Sequence, residues 1–151
     1  MKRFIYIATI LFLLLSCSEK KTSTVLFKEG KELFNQQKYN EAIAKFTEGI
    51  ELSPNSAVGY NLIGMAYRFK YNAVRDPSLR EKEIDAFKKA LECDTMYWVA
   101  YINLGSTYYY SGKKKEAVPL FEKALILNPE HHEKEEIEKM IDEGKSVEQG
   151  E

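Results

Sequence analysis

The stretch "YINLGSTYYYSGKKKEAVPLFEKALILNP", residues 101–129, decides how the rest of the chain is read. Tyr101, Leu104, Gly105 and Tyr108 recur at i, i+3, i+4 and i+7, one face of a helix. Ala117, Phe121 and Ala124 then recur at i, i+4 and i+7, one face of a second helix. Between them Ser111 and Gly112 can end the first helix, because glycine enters the left-handed region without a steric penalty. Pro119 is expected in about the first turn of the second helix, where amides lack an intrahelical partner. Tyr108, Tyr109 and Tyr110 cannot all face one core, since helical neighbours diverge by about 100°.

The same spacing recurs upstream. Leu26, Gly30, Leu33, Ala42, Phe46, Gly49 and Pro54 mark residues 23–56. Tyr60, Ile63, Gly64 and Tyr67, then Phe87 and Ala90, mark residues 57–97. With residues 98–131 this makes three copies of one helix–turn–helix unit, and the pattern resembles the tetratricopeptide (TPR) repeat, a unit of about 34 residues. The resemblance implies an all-α solenoid of three repeats. The segment 132–151 begins as an amphipathic helix with Ile137, Met140 and Ile141 on one face, suited to cap the apolar end that stacked repeats leave.

Some positions depart from the pattern. Glu29 stands before the first glycine where a large apolar residue is usual, and an outward-facing end helix tolerates it. In the second copy Glu83 occupies a small residue's place, Thr95 replaces the proline, and Cys93 reads as a small buried hydrophobe. Tyr67 and Phe87 are 20 residues apart, against 13 for both Leu33–Phe46 and Tyr108–Phe121. The seven additional residues lie within "RFKYNAVRDPSLREKE", and about one extra turn on each helix keeps both apolar faces in register. Asp76-Pro77-Ser78 supplies the turn there, with Ser78 and Glu81 as a capping box. The overhang is either a plain extension or an additional contact site.

The chain has 151 residues and a formal net charge of −1, so it carries no global attraction to nucleic acid or to an anionic membrane surface. Its first 17 residues, "MKRFIYIATILFLLLSC", differ from the rest. Lys2 and Arg3 precede twelve apolar or small residues, too few to span a bilayer, which needs about 20. The pattern fits a secretory signal peptide over 1–16. "LLSC" at 14–17 resembles the lipobox of bacterial lipoproteins. That resemblance implies cleavage before Cys17, lipidation (palmitate) on Cys17, and a short tether over 17–22. Ser18, rather than Asp, after that cysteine favours the outer membrane by the sorting rule of the best-known two-membrane bacteria. Only Cys93 would remain as a thiol, so the mature domain could form no internal disulfide.

Nothing in the sequence converges on catalysis. His131 and His132 are adjacent and diverge on a helix, unlike an i, i+4 metal pair, and read as exposed or capping residues. There is no Gly-rich phosphate loop, nucleophile elbow or Cys/His cluster. We therefore expect no enzyme activity, cofactor, metal, nucleic acid or small-molecule substrate. The TPR resemblance implies instead a protein or peptide partner in a concave groove lined by the first helix of each repeat. It selects Phe27, Lys31, Phe34 and Asn35; Asn61, Met65, Arg68 and Phe69; and Ile102, Ser106, Tyr109 and Tyr110. Tyr108 is then expected inside its hairpin, Tyr109 toward the groove, and Tyr110 at the groove's far edge or against a neighbouring helix.

Some TPR proteins clamp a partner's C-terminal carboxylate with a Lys/Asn/Arg set. Here the matching places hold Phe27, Lys31, Leu62, Val99 and Asn103, so apolar anchoring, with Arg68 and Lys31 as polar handles, is expected. The resulting expectation is a lipid-anchored scaffold or assembly factor of the bacterial cell envelope. The alternatives are a chaperone or pilot lipoprotein for one secreted or outer-membrane client, and a structural subunit of a larger envelope complex.

Overall fold

The computed structural model describes residues 21–146, and Cys17 with the segment before it lies outside them. Among the described residues seven helices follow one another: α1 Ser23–Asn35, α2 Tyr39–Leu52, α3 Ala57–Val74, α4 Pro77–Cys93, α5 Trp98–Tyr110, α6 Lys114–Leu127 and α7 Lys134–Ser146. There is no strand among the described residues. The fold is an all-α solenoid: α1/α2, α3/α4 and α5/α6 are antiparallel hairpins, and α7 packs on α6 at the end.

One close approach is repeated in each hairpin. Phe46, Phe87 and Phe121 are fully buried, and each ring lies flush on a glycine of the partner helix: Gly30, Gly64 and Gly105. A methyl group at any of these glycines would overlap the ring. The spacing that opened the sequence reading therefore records a ring-on-backbone contact, and the missing side chain sets how closely the helices pack. Beside the first and third rings sits a small residue, Ala42 or Ala117, with no exposed surface, and the same place in the second hairpin holds the equally buried Glu83.

The turns show how far the copies are equivalent. Gly112 closes α5 at φ +81°, as its sequence position implies. At the matching turn of the first hairpin Gln37 takes φ +61°, a left-handed conformation that disfavours a side chain. α3 ends at Arg75, also left-handed at φ +59°.

The seven additional residues lengthen both helices of the second hairpin. α3 has 18 residues against 13 in α1 and α5, and α4 has 17 against 14 in α2 and α6. The capping box expected at Ser78 and Glu81 is corrected. Asp76 is the N-cap, its carboxylate accepting the Ser78 N–H at 3.0 Å, and Pro77 takes the first helical position, where no N–H is needed. Pro119 lies deeper than expected, as the sixth residue of α6, yet the helix continues unbroken to Leu127.

Glu29 pairs with Lys45 of α2 at 3.2 Å. Cys93 is partly buried beside Ala57, Ala90 and Ala100. His131 is buried edge-on against Trp98, and its Nδ1 accepts the Glu133 N–H at 3.1 Å ahead of α7, whereas His132 is exposed. Ile137 and Ile141 of α7 close the core over Ala117 and Phe121, with Met140 at its margin.

Candidate functional site

Most of the twelve residues selected for the groove fall into three environments. Lys31, Phe34 and Asn35 of α1 and Met65 of α3 come together with Leu62 and Phe46 around a mostly apolar pocket of about 220 Å³. Phe34 stands edge-on to Phe69 at 5.0 Å between ring centres and to Tyr39 at 5.6 Å, forming an aromatic cluster beside that pocket. Phe69 is 41% exposed although apolar. The first helices of the first and second hairpins thus leave an open, apolar, aromatic-rimmed surface.

The second environment is polar and closed. Glu83 of α4 has no exposed surface. Its Oε1 accepts from Arg68 Nε at 2.8 Å and from the Thr107 hydroxyl at 2.6 Å, and its Oε2 accepts from Arg80 Nη1. Arg68 also donates to the Asn103 side-chain oxygen at 3.2 Å, to the Asn103 carbonyl and to Thr107 Oγ1, while its guanidinium lies over the Phe87 ring. Asn103 Nδ2 donates to Asn61 Oδ1 at 2.9 Å. Taking a carboxylate out of water costs several kcal/mol unless paired and hydrogen-bonded. Here three donors on α3, α4 and α5 converge on it, tying the second hairpin to the third.

The third environment is the seal of α7. The Tyr109 hydroxyl donates to Glu143, Lys114 donates to the same carboxylate at 2.7 Å, and the Lys114 ammonium lies over the Tyr109 ring. The Lys114 hydrogen bond, then that of Tyr109, holds the Glu143 carboxyl below the usual carboxylate range. The bond to Glu143 raises the Tyr109 phenol and the Lys114 ammonium above their ordinary values.

Several placements therefore differ from the sequence expectation. Phe27 does not project into the groove: its ring is wedged against Gly49 of α2 and Gly59 of α3, filling space between the first two hairpins. Asn61 is 3% exposed and held by Asn103. Arg68 is not a free handle, because the guanidinium is committed to the Glu83 network. Ile102 and Tyr109 pack against the α6–α7 core, as Tyr108 does. Tyr110 alone of the three tyrosines is largely open, at 70% exposure.

Sequence reasoning missed Tyr39, Arg80, Glu83 and Thr107 as parts of these sites, and named Leu62 only at a clamp position. For Glu83 a signal existed, a carboxylate in a small residue's place on a buried face. Among the described residues no group of three or more His, Cys, Asp or Glu side chains is arranged to hold a metal, and no helix is long and apolar enough to cross a membrane.

Residues 98–131 match the family described as tetratricopeptide repeat, and residues 30–68 match a second description, TPR repeat. The chain carries tetratricopeptide repeats. It is 31% identical over 101 residues to small glutamine-rich tetratricopeptide repeat-containing protein 2 of Mycosarcoma maydis, a match covering 67% of this chain and 27% of that protein. The chain thus spans about a quarter of that relative's length.

Among solved structures it is similar to the Arabidopsis OM64 TPR domain, with a TM-score of 0.70 and 23% identity over 81% of this chain and 95% of that one. It is also similar to the first TPR of Spaghetti (RPAP3) bound to the HSP90 peptide SRMEEVD, with a TM-score of 0.67 and 24% identity over 85% and 94% of the two chains. These similarities establish the solenoid fold.

Proposed function

We propose that this chain is a non-enzymatic TPR interaction module that binds an extended or helical peptide segment of a protein partner between α1 and α3. The observation that carries this reading is the apolar pocket at Phe34, Leu62 and Met65, flanked by exposed Phe69. Aromatic and aliphatic anchors in such a pocket supply most of the contact energy of peptide recognition. The peptide-bound RPAP3 structure supports the same use of the fold.

The buried network that joins the second and third hairpins leaves the pocket between the first and second as the open apolar site. The clamp-associated positions Phe27, Leu62 and Val99 are apolar here, and Asn103 is already engaged by Arg68 and Asn61. The apolar segment ending in Leu14-Leu15-Ser16-Cys17 supports lipid anchoring at Cys17 and a scaffold or assembly role in a bacterial cell envelope, with the outer membrane favoured by Ser18.

Two measurements test the proposal. Crosslinking in cells is compared between the wild-type chain and a Met65→Glu, Phe69→Glu variant whose fold is verified by circular dichroism. A discrete adduct that the variant loses at least tenfold supports the site, and an adduct formed equally by both removes it. Metabolic labelling with a clickable palmitate tests the anchor: incorporation abolished by Cys17→Ser supports it, and unlabelled wild type refutes it.

A further inference from the structure

The extension of the second hairpin builds something that the other two hairpins lack. Its extra turns place Asn72 of α3 and Arg80 of α4 beside Arg68, facing Ser106, Thr107 and Tyr110 of α5 across a pocket of about 360 Å³. Two guanidinium groups line this pocket and no carboxylate does; the single buried Glu83 beneath balances only one of them. Among the described residues, Arg80 donates one hydrogen bond to protein, to Glu83. Its guanidinium carbon also lies over the Tyr71 ring, 4.0 Å from the ring centre, with Arg75 over the same ring at 5.8 Å. The ring contact and the Glu83 bond hold the Arg80 guanidinium in place and leave its other N–H groups for a ligand. Ser106 and Tyr110 add hydroxyl donors and Asn72 an amide.

From this arrangement we propose that the hairpin extension forms a carboxylate-binding pocket that receives a Glu or Asp side chain of the partner segment. This rests on the groove reading above for the identity of the ligand, though not for the chemistry of the pocket. A planar carboxylate matches the guanidinium fork in a way a chloride cannot. The two pockets share α3, with Met65 and Leu62 in one and Arg68 and Asn72 in the other. Packed helices lie about 8–10 Å apart. A segment crossing from the α1–α3 pocket to the α3–α5 pocket therefore carries its acidic residue about three extended residues from its apolar anchor.

The test uses the full-length protein in detergent micelles, with ¹⁵N-labelled arginine side chains followed by NMR. N-acetylglutamate amide is titrated, with N-acetylglutamine amide, sodium chloride and inorganic phosphate as comparisons. The expected result is a saturable shift of the Arg80 Nε–H resonance with the glutamate probe and none with the glutamine probe. Arg80→Lys weakens the binding about tenfold or more. Asn72→Ala and Tyr110→Phe lie outside the Glu83 network and weaken it severalfold, so the test does not depend on a variant that disturbs the buried carboxylate.

Equal shifts with chloride, tighter binding of phosphate than of the glutamate probe, or indifference to all three variants would overturn the proposal. The partner's part is read separately by crosslinking. Loss with Arg80→Lys supports a carboxylate seated in this pocket. Adducts lost with Met65→Glu but unchanged by Arg80→Lys refute that seating while leaving the groove reading intact.

Discussion

The two halves of the concave side use equivalent repeat positions for different ends. At the α1–α3 half, Lys31, Phe34, Met65 and Phe69 border an apolar pocket open to solvent. At the α3–α5 half, Asn61, Arg68, Ile102 and Tyr109 face partners within the molecule: Asn103, Glu83, the α6–α7 core and Glu143. Repeat register places a side chain on the concave side of its helix. What occupies the neighbouring helix decides whether it remains available to a ligand. Here the buried carboxylate of Glu83 and the terminal helix α7 turn most of the second half from a surface into an interior, leaving open only the rim at Asn72, Arg80 and Tyr110.

The sharpest way to break this contrast is to open the closed half. Arg68→Met removes the guanidinium that contributes one of the three donors to Glu83 and leaves a fully buried carboxylate with Arg80 and Thr107. Breaking a buried pair from one side costs about 3–5 kcal/mol. Because Arg68 is partly exposed and Arg80 remains, we expect about 3 kcal/mol, read as a lowered urea midpoint. An unchanged midpoint would mean that the network does not hold the hairpins together.

A smaller and opposite effect is expected at the turns. Gln37 adopts the left-handed conformation that Gly112 adopts freely. Gln37→Gly should therefore stabilise the first hairpin by about 1 kcal/mol, against the same measurement, less the entropy that glycine adds to the unfolded chain. A destabilising result would show that the Gln37 side chain does more for that turn than its backbone costs.

The smallest effect concerns the α7 seal and pH. Glu143 is more acidic in the folded protein than in an unfolded chain, so its contribution is present above the ordinary carboxylate range and is lost as pH falls through the lower folded value. Lys114 and Tyr109 are raised, so their contributions are complete below their ordinary values and lost as pH rises through the higher folded ones. Thermal melts should be flat through neutral pH and decline at both ends. Glu143→Gln should flatten the acid limb. The wild-type acid limb persisting in full in that variant would assign it to other carboxylates.

The fold was legible because its determinant is local and repeated: a glycine and a phenylalanine at fixed spacing, three times over. The longer second hairpin was legible too, because seven residues are close to two helical turns. The fate of individual concave-side residues was not. Glu83 meets Arg68 15 residues away and Thr107 24 residues away, and those meetings depend on how the second hairpin leans on the third. Tyr109 is turned from groove to seal by Glu143, 34 residues downstream. The cap at Asp76 was misplaced because Pro77 fills the first helical position without requiring an N–H partner, which moves the start of α4 ahead of Ser78.

The division between an open and a closed half is tested most directly by a photo-crosslinking amino acid placed singly at Asn35, Phe69, Ile102 and Tyr109 in the full-length protein in its native cells. We predict one adduct of common mass from positions 35 and 69, and none from 102 or 109. Adducts from 102 and 109, or none from 35 and 69, would contradict the assignment of partner binding to the first half of the groove.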